Sequence, residues 1–131
     1  IEPAAAALAA AKADASGRRL IEDGFARMAA AERGDDDVLE ADIAFHIAIL
    51  EASGNPFYVQ FRDVVETALR TSIRFTNRFK GHSASLGAHQ AVRDAIIKGK
   101  AETARKSMEA IIREVMALID EAEASESGAP E

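Results

Sequence analysis

Apolar residues recur every three or four positions through most of the chain, which is the spacing of one face of an α-helix. Turn-forming residues interrupt this recurrence at Gly34 to Asp37, at Ser53 to Pro56, at Gly81 to Ser85 and at Gly99. No segment shows the alternation of a strand. The pattern predicts an all-α fold, an antiparallel bundle of about six helices in a single domain. The predicted helices cover about residues 3–13, 16–31, 38–52, 56–78, 86–98 and 101–124.

Two of these helices carry unusual patterns. In the third, the segment from Ala41 to Leu50 is apolar on nearly every side, which predicts a central position in the bundle. In the fourth, Phe57, Phe61, Val64 and Val65 share the apolar side and are expected to face inward. The third helix is therefore the place where a polar side chain would be hardest to explain as surface.

Composition limits the classes of function. With 131 residues, a domain of 1–124 and a small, acidic, disordered tail at 125–131 are expected. A net charge of -6, from 16 basic and 22 acidic residues, argues against nucleic-acid binding by this segment. Cysteine is absent, and no apolar run approaches the roughly 20 residues that cross a bilayer, so we expect a soluble, cytoplasmic protein without a membrane partner. The chain opens at Ile1 rather than at methionine, which suggests a piece of a longer protein.

Only Asp42 and His46 interrupt the apolar surface of the third helix. Their i, i+4 spacing places both on one face, where they could share one ion or simply hydrogen-bond to each other inside the core. His89, at the start of the fifth predicted helix and in register with Val92, also lies near an inward face. Two imidazoles and a carboxylate suit zinc, with nickel, manganese or iron as alternatives. His82, in a Gly- and Ser-rich loop, is expected to be solvated.

A candidate anion site follows on the fourth predicted helix. Arg70 and Arg74 have i, i+4 spacing, and Asn77 lies next along that side. A guanidinium group binds a carboxylate through two parallel hydrogen bonds, so these three residues are predicted to contact an acidic ligand. The alternative is that the arginines form the solvated side of an amphipathic helix.

Several motifs together resemble a known family. The segment Asp42-Ile-Ala-Phe45-His46, followed by Ala52-Ser-Gly-Asn-Pro56, is similar to the D-x-x-F-H…A-S-G-N pattern of the FCD-type effector domain of GntR-family bacterial transcription regulators. The opening residues and the segment from His89 to Gly99 also resemble that family in order and spacing. The resemblance covers nearly the whole chain, from Glu2 to about residue 121.

The resemblance implies a helical bundle that dimerises and follows an N-terminal winged helix-turn-helix, which is absent from this chain. Family members typically bind small organic acids, often through a metal held by one Asp and three His. Asp42, His46 and His89 match the first three ligand positions, but Ile111 stands at the fourth. A metal on three protein ligands, a metal-free ligand site and a residual polar cluster are all compatible with this substitution.

The resulting prediction is a non-enzymatic sensor. It would bind a small carboxylate metabolite, form a homodimer and act on DNA only through the missing domain. A metal-dependent enzyme is a weaker alternative because neither HExxH nor a paired ExxH motif is present. A plain interaction bundle is the third. Because metal binding requires neutral imidazole, a metal site should weaken as the pH falls through the ordinary histidine range near 6.5.

Overall fold

Most of the described residues of this protein lie in helices. The computed structural model describes residues 1–80 and 86–127, apart from the side chains at positions 73, 76–80, 122 and 125–127. Within these residues the chain forms seven helices and no strand, which confirms the all-α prediction. The helices are α1 (Glu2–Lys12), α2 (Ala15–Glu32), α3 (Val38–Ala52), α4 (Pro56–Gln60), α5 (Arg62–Lys80), α6 (Leu86–Ile97) and α7 (Ala101–Ser127).

Polar side chains start three of the helices. Asp14, Asp37 and Asn55 are the N-caps of α2, α3 and α4, and each side chain accepts a hydrogen bond of 2.8–2.9 Å from a backbone N–H in the first turn. Such bonds satisfy N–H groups that have no partner within the helix. These three side chains therefore help to fix where α2, α3 and α4 begin.

The Ala52–Pro56 segment of the family-like pattern builds the turn between α3 and α4. The Ser53 hydroxyl donates to the carbonyl of Leu50 at 2.6 Å, and the backbone N–H of Asn55 donates to the Ser53 hydroxyl at 3.2 Å. Gly54 has a φ of 69°, the left-handed conformation that favours glycine. This half of the pattern thus serves the fold rather than ligand binding.

The predicted helix at 56–78 is divided in two. At Phe61 (φ -85°, ψ 3°) the backbone N–H bonds to the carbonyl of Tyr58, three residues back, at 3.1 Å, and α4 ends there. Val65 is buried as predicted, but Phe57 is 72% exposed, Val64 is 63% exposed and Phe61 is also exposed. The inward orientation expected for these three side chains was wrong.

The core is built around α3, which packs against α1, α2 and α5, while α7 packs against α1, α5 and α6. Ten residues of α3 are buried, among them Asp42 and His46. Gly24 of α2 lets the two helices approach closely, because a Cβ atom at that position would stand 3.1 Å from the Cα of Phe45. The central position predicted for α3 is confirmed, and its polar side chains lie in the interior.

The ends of the last elements differ from the sequence expectation. The final helix α7 continues to Ser127, beyond the predicted end near residue 124. The remaining tail, 128–131, lies outside the described residues, as does the loop at 81–85 with His82. No helix in the described ranges has the length and apolarity required to cross a membrane.

Candidate metal and ligand site

Helices α3 and α6 bring Asp42, His46 and His89 together in the core. The three residues are 2%, 3% and 0% exposed. Asp42 Oδ1 lies 3.1 Å from His46 Nε2 and 3.2 Å from His89 Nε2, and the two Nε2 atoms are 3.3 Å apart. One oxygen and two nitrogens therefore form a nearly equilateral triangle.

The size of this triangle fits a metal ion. Ligand atoms bonded to one ion at about 2.1 Å stand about 3.0 Å apart in octahedral geometry and about 3.4 Å apart in tetrahedral geometry. All three observed edges fall within that interval. Moreover, Asp42 Oδ1 is buried and makes no hydrogen bond of acceptable geometry, although two imidazole nitrogens are close to it. A buried carboxylate oxygen without an aligned donor is costly, and an ion within the triangle would satisfy it.

Glu2, at the start of α1, contacts the outer side of the cluster. Its Oε1 lies 2.5 Å from His46 Nδ1, so the ring directs one nitrogen to Glu2 and the other to the triangle. A carboxylate that accepts the Nδ1–H hydrogen bond leaves the Nε2 lone pair available to a metal and fixes the orientation of the ring. The sequence analysis missed this residue because 44 positions separate the two partners.

The charges of the cluster shift two pKa values in opposite directions. Burial lowers the pKa of His46, but the charge of Glu2 and the contacts with Asp42 outweigh it and raise that pKa to about 10. Burial raises the pKa of Asp42, but the contacts with His46 and His89 outweigh it and hold that pKa well below 3.8. In the metal-free protein, Asp42 is therefore ionised and His46 protonated at neutral pH.

Phe45 holds the two imidazoles in place. Its ring meets those of His89 and His46 edge to face, with centroids 5.5 Å and 6.1 Å away, and it packs against Phe25 on the far side. A fully buried aromatic ring restricts the rotation of both histidine side chains. The D-x-x-F-H half of the family-like pattern therefore supplies two cluster residues and the side chain that packs against them.

The cluster lies at one end of a cavity of about 220 Å³. The described residues that line it come from α1, α3, α5, α6 and α7. They are Glu2, Asp42, His46, Leu69, Ser72, His89, Ile111, Ile112, Val115, Met116 and Ile119. Ile111, at the position where the family resemblance predicts a fourth ligand, is part of this lining.

The predicted anion-binding residues lie elsewhere or outside the described side chains. Arg70 pairs with Glu40 and Glu66 and lines a separate groove of about 390 Å³ between α2, α3 and α5. Arg74 is exposed and is not part of the cavity lining. The side chain of Asn77 lies outside the described residues. A role for these residues in ligand binding stays a prediction.

Comparison with known proteins decides the family. The chain matches the FCD domain over residues 1–114, most of its length. The chain belongs to the FCD domain family. This FCD domain is also 32% identical over 115 residues to a protein of Escherichia coli (strain K12) named uncharacterized HTH-type transcriptional regulator YieP. The match covers 86% of the chain and 49% of the regulator, so the chain spans about half the length of that curated relative.

Membership in the FCD domain family confirms the resemblance predicted from the segments at Asp42–His46 and Ala52–Pro56. It also explains why the chain is all-α and why it resembles a transcription regulator. The ligand of the FCD domain is a separate question, which the chemistry of the cavity must answer.

Proposed function

We propose that the chain is the effector-sensing domain of a GntR-type transcription regulator, in which a divalent ion at Asp42, His46 and His89 helps to bind a small carboxylate. The observation that carries this proposal is the convergence of one oxygen and two nitrogens, 3.1–3.3 Å apart, at the end of a cavity. The family membership and the similarity to an HTH-type regulator support the regulatory role.

The ion would be held by three protein ligands. Asp42, His46 and His89 supply the oxygen and nitrogen donors that suit zinc, and also nickel, manganese or iron. Ile111 contributes no donor, so coordination positions stay open toward the cavity. When bound, the ion supplies positive charge and open positions for a carboxylate oxygen. Glu2 keeps the His46 ring oriented.

Effector binding would act by changing the balance between two packing arrangements of the helices. The cavity is lined by five helices, so a ligand that fits one arrangement better than the other shifts that balance. We expect the protein to act on DNA through a separate domain in the cytoplasm, since the negative charge of this segment opposes contact with phosphate groups. The effector would be bound and released without a chemical reaction, because the proposed role is that of a sensor and not an enzyme.

Elemental analysis and thermal denaturation test the proposal. Purified protein is expected to contain about one divalent ion per chain, and a panel of organic acids is expected to raise its melting temperature only while the ion is present. The chelator-treated protein is the control. If the protein lacks metal, takes none up, and responds to no acid, the proposal is wrong.

A metal-free ligand site is the second candidate. It is favoured by the two imidazoles of His46 and His89 in the cavity lining, because an imidazole N–H can donate a hydrogen bond to a carboxylate. In that case, acids would stabilise the protein equally with and without chelator, and His46→Gln would abolish the effect.

We also propose a homodimer formed through α4 and α5. Phe57, Phe61, Val64, Ala68 and Phe75 recur at spacings of three, four or seven residues, and the first three are exposed. This stripe borders a groove of about 780 Å³ between α5 and α7. Large exposed apolar patches of this kind mark interaction sites.

The occupant is a second copy because the charges are self-complementary. Asp63 and Glu123 line the groove, with Asp63 near the start of α5, and Arg74 lies exposed about three turns further along the same helix. Antiparallel pairing of two copies would bring the acidic end of each against the basic end of the other. Sedimentation analysis should find a dimer that Val64→Asp dissociates and that Val38→Asp, at an exposed valine elsewhere, leaves intact. A monomeric wild-type protein would contradict this assignment.

A further inference from the structure

In its described lining, the cavity combines the polar cluster with mostly apolar side chains. Apart from Ser72, the described lining residues beyond the cluster and Glu2 are aliphatic or thioether side chains. They are Leu69 of α5 and Ile111, Ile112, Val115, Met116 and Ile119 of α7. A ligand that fits these surroundings has one polar end group and an apolar body.

We propose that the effector is an aliphatic monocarboxylate of about four to six carbons, with its carboxylate at the cluster and its chain along the apolar face of α7. The inference rests on the proposed function for the location of the carboxylate. It goes further by naming the class of acid and the residues that select it.

The volume of the cavity sets the size of the ligand. A cavity of about 150 Å³ lined by apolar side chains holds a benzene molecule. The 220 Å³ here therefore suits roughly six to nine non-hydrogen atoms on the same scale. Acids of four to six carbons, with six to eight such atoms, fall within this range.

The walls select against a second polar group. A hydroxyl or second carboxylate placed among the partly buried side chains of Ile112, Val115 and Ile119 would lose part of its hydration, and in the described lining beyond the cluster and Glu2 only Ser72 offers a polar side chain. Each methylene group of an aliphatic chain instead gains from burial against these side chains. Dicarboxylates, hydroxy acids and sugar acids are therefore expected to bind poorly.

The charges at the polar end make acid binding depend on the ion. When the ion is absent, the carboxylates of Glu2 and Asp42 outnumber the positive charge of His46, so the cluster keeps a net negative charge that repels an anionic end group. An aliphatic amine has the opposite requirement, because it would be attracted by the two carboxylates and displaced by the ion. A matched acid and amine therefore distinguish the two end groups.

The position of the side chains along α7 predicts which residue senses chain length. Val115 lies four residues beyond Ile111, about 6 Å of helix rise, and Ile119 lies about 12 Å beyond it. A four- to six-carbon chain that starts at the cluster ends close to Val115. Val115 is therefore the residue whose polarity should matter most for the longer acids in this range.

Titration calorimetry on the zinc-loaded protein, with butyrate, hexanoate, adipate and hexylamine, tests the inference. Hexanoate should bind more than tenfold tighter than butyrate, since two methylene groups at about fourfold each are added. Adipate should bind at least about tenfold more weakly than hexanoate because it buries a second carboxylate. Hexylamine should bind only after zinc is removed.

Variants separate the chain-binding wall from the cluster. Val115→Thr, which adds a hydroxyl with little change of volume, should weaken hexanoate more than acetate and leave zinc affinity unchanged. Val38→Thr, at an exposed valine outside the cavity, is the matched control. If adipate binds as tightly as hexanoate in a zinc-dependent manner, the inference is wrong while the proposed function stands. If neither acid binds the zinc-loaded protein, the carboxylate part of the proposed function fails as well.

Discussion

Glu40 and Asp42 lie two residues apart on α3, but their carboxylates have different surroundings. Glu40 contacts an arginine near the surface, whereas Asp42 contacts two histidines in the core. Glu40 pairs with Arg70 at the rim of an open groove, where its side chain is 45% exposed. Asp42 is buried between two imidazoles, and its Oδ1 has no aligned hydrogen bond from the described residues. Similar chemical groups thus form an ordinary surface ion pair in one place and a candidate metal site in the other.

The difference lies in what each carboxylate requires. Water and Arg70 satisfy Glu40, so its surroundings need no further ligand. Asp42 is withdrawn from water and depends on the cluster, which makes it sensitive to protonation, to ions and to substitution of any partner. Arg70 lines the groove and the two histidines line the cavity, so the pairs Glu40–Arg70 and Asp42–His46 belong to different surroundings.

The largest expected effect comes from removing the buried carboxylate. Asp42→Ala should lower the free energy of unfolding of the metal-free protein by about 3–5 kcal/mol, because protonated His46 loses a partner in the core. Glu40→Ala should leave the urea midpoint nearly unchanged, because exposed ion pairs are screened by water. Equal losses in the two variants, measured by urea denaturation, would remove the contrast.

The next effect concerns Glu2. Once corrected for the proton that His46 releases, the zinc affinity of Glu2→Ala should be weaker by about 10- to 100-fold, because His46 loses the acceptor that fixes its ring. Glu2→Gln retains an oxygen acceptor and should recover part of the loss. Glu102→Ala, which breaks a surface ion pair on α7, is the control and should not change the zinc affinity measured by competition with a chelator.

The pH response should follow the raised pKa of His46. The folded, metal-free protein holds this proton more tightly than the unfolded chain, so the stabilisation is complete below pH 6.5 and is lost as the pH rises toward 10. The loss should reach about 1.4 kcal/mol per pH unit within that window. Urea denaturation between pH 6 and 10 measures it, and His46→Gln should remove this contribution to the slope.

Zinc must displace the same proton from His46. Its affinity should therefore rise by up to about tenfold per pH unit between pH 6.5 and 10, with one proton released per ion. From the sequence alone, zinc binding was expected to weaken below about pH 6.5. The contact with Glu2 moves the start of this weakening to a higher pH because it raises the pKa of His46. A zinc affinity independent of pH across this range would contradict the raised pKa of His46, because it would mean that no proton has to leave this ring.

The smallest expected effect is at the groove. Arg70→Ala and Arg74→Ala should leave effector affinity unchanged in calorimetry, because neither residue lines the cavity. A loss of tenfold or more in either variant would restore the sequence-based prediction that these arginines bind the acid, and would join the two regions that the structure separates.

Local signals account for what the sequence could predict. The caps at Asp37 and Asn55 act within one turn, and helical spacing alone places Asp42 and His46 on one face. The contact between His46 and Glu2 joins residues 44 positions apart, and Arg70 meets Glu40 across 30 positions, so periodicity carries no information about either. The break at Phe61 was missed because no glycine or proline occurs there.

The spacing of the cluster on α3 has a mechanical consequence. Asp42 and His46 are fixed to the same helix one turn apart, so their separation changes little when an ion of different radius enters. His89 belongs to α6, so its distances to both partners also change when the two helices move relative to each other. A larger ion in place of zinc would thus push His89, and with it α6, further from α3, and the displacement would increase with the ionic radius.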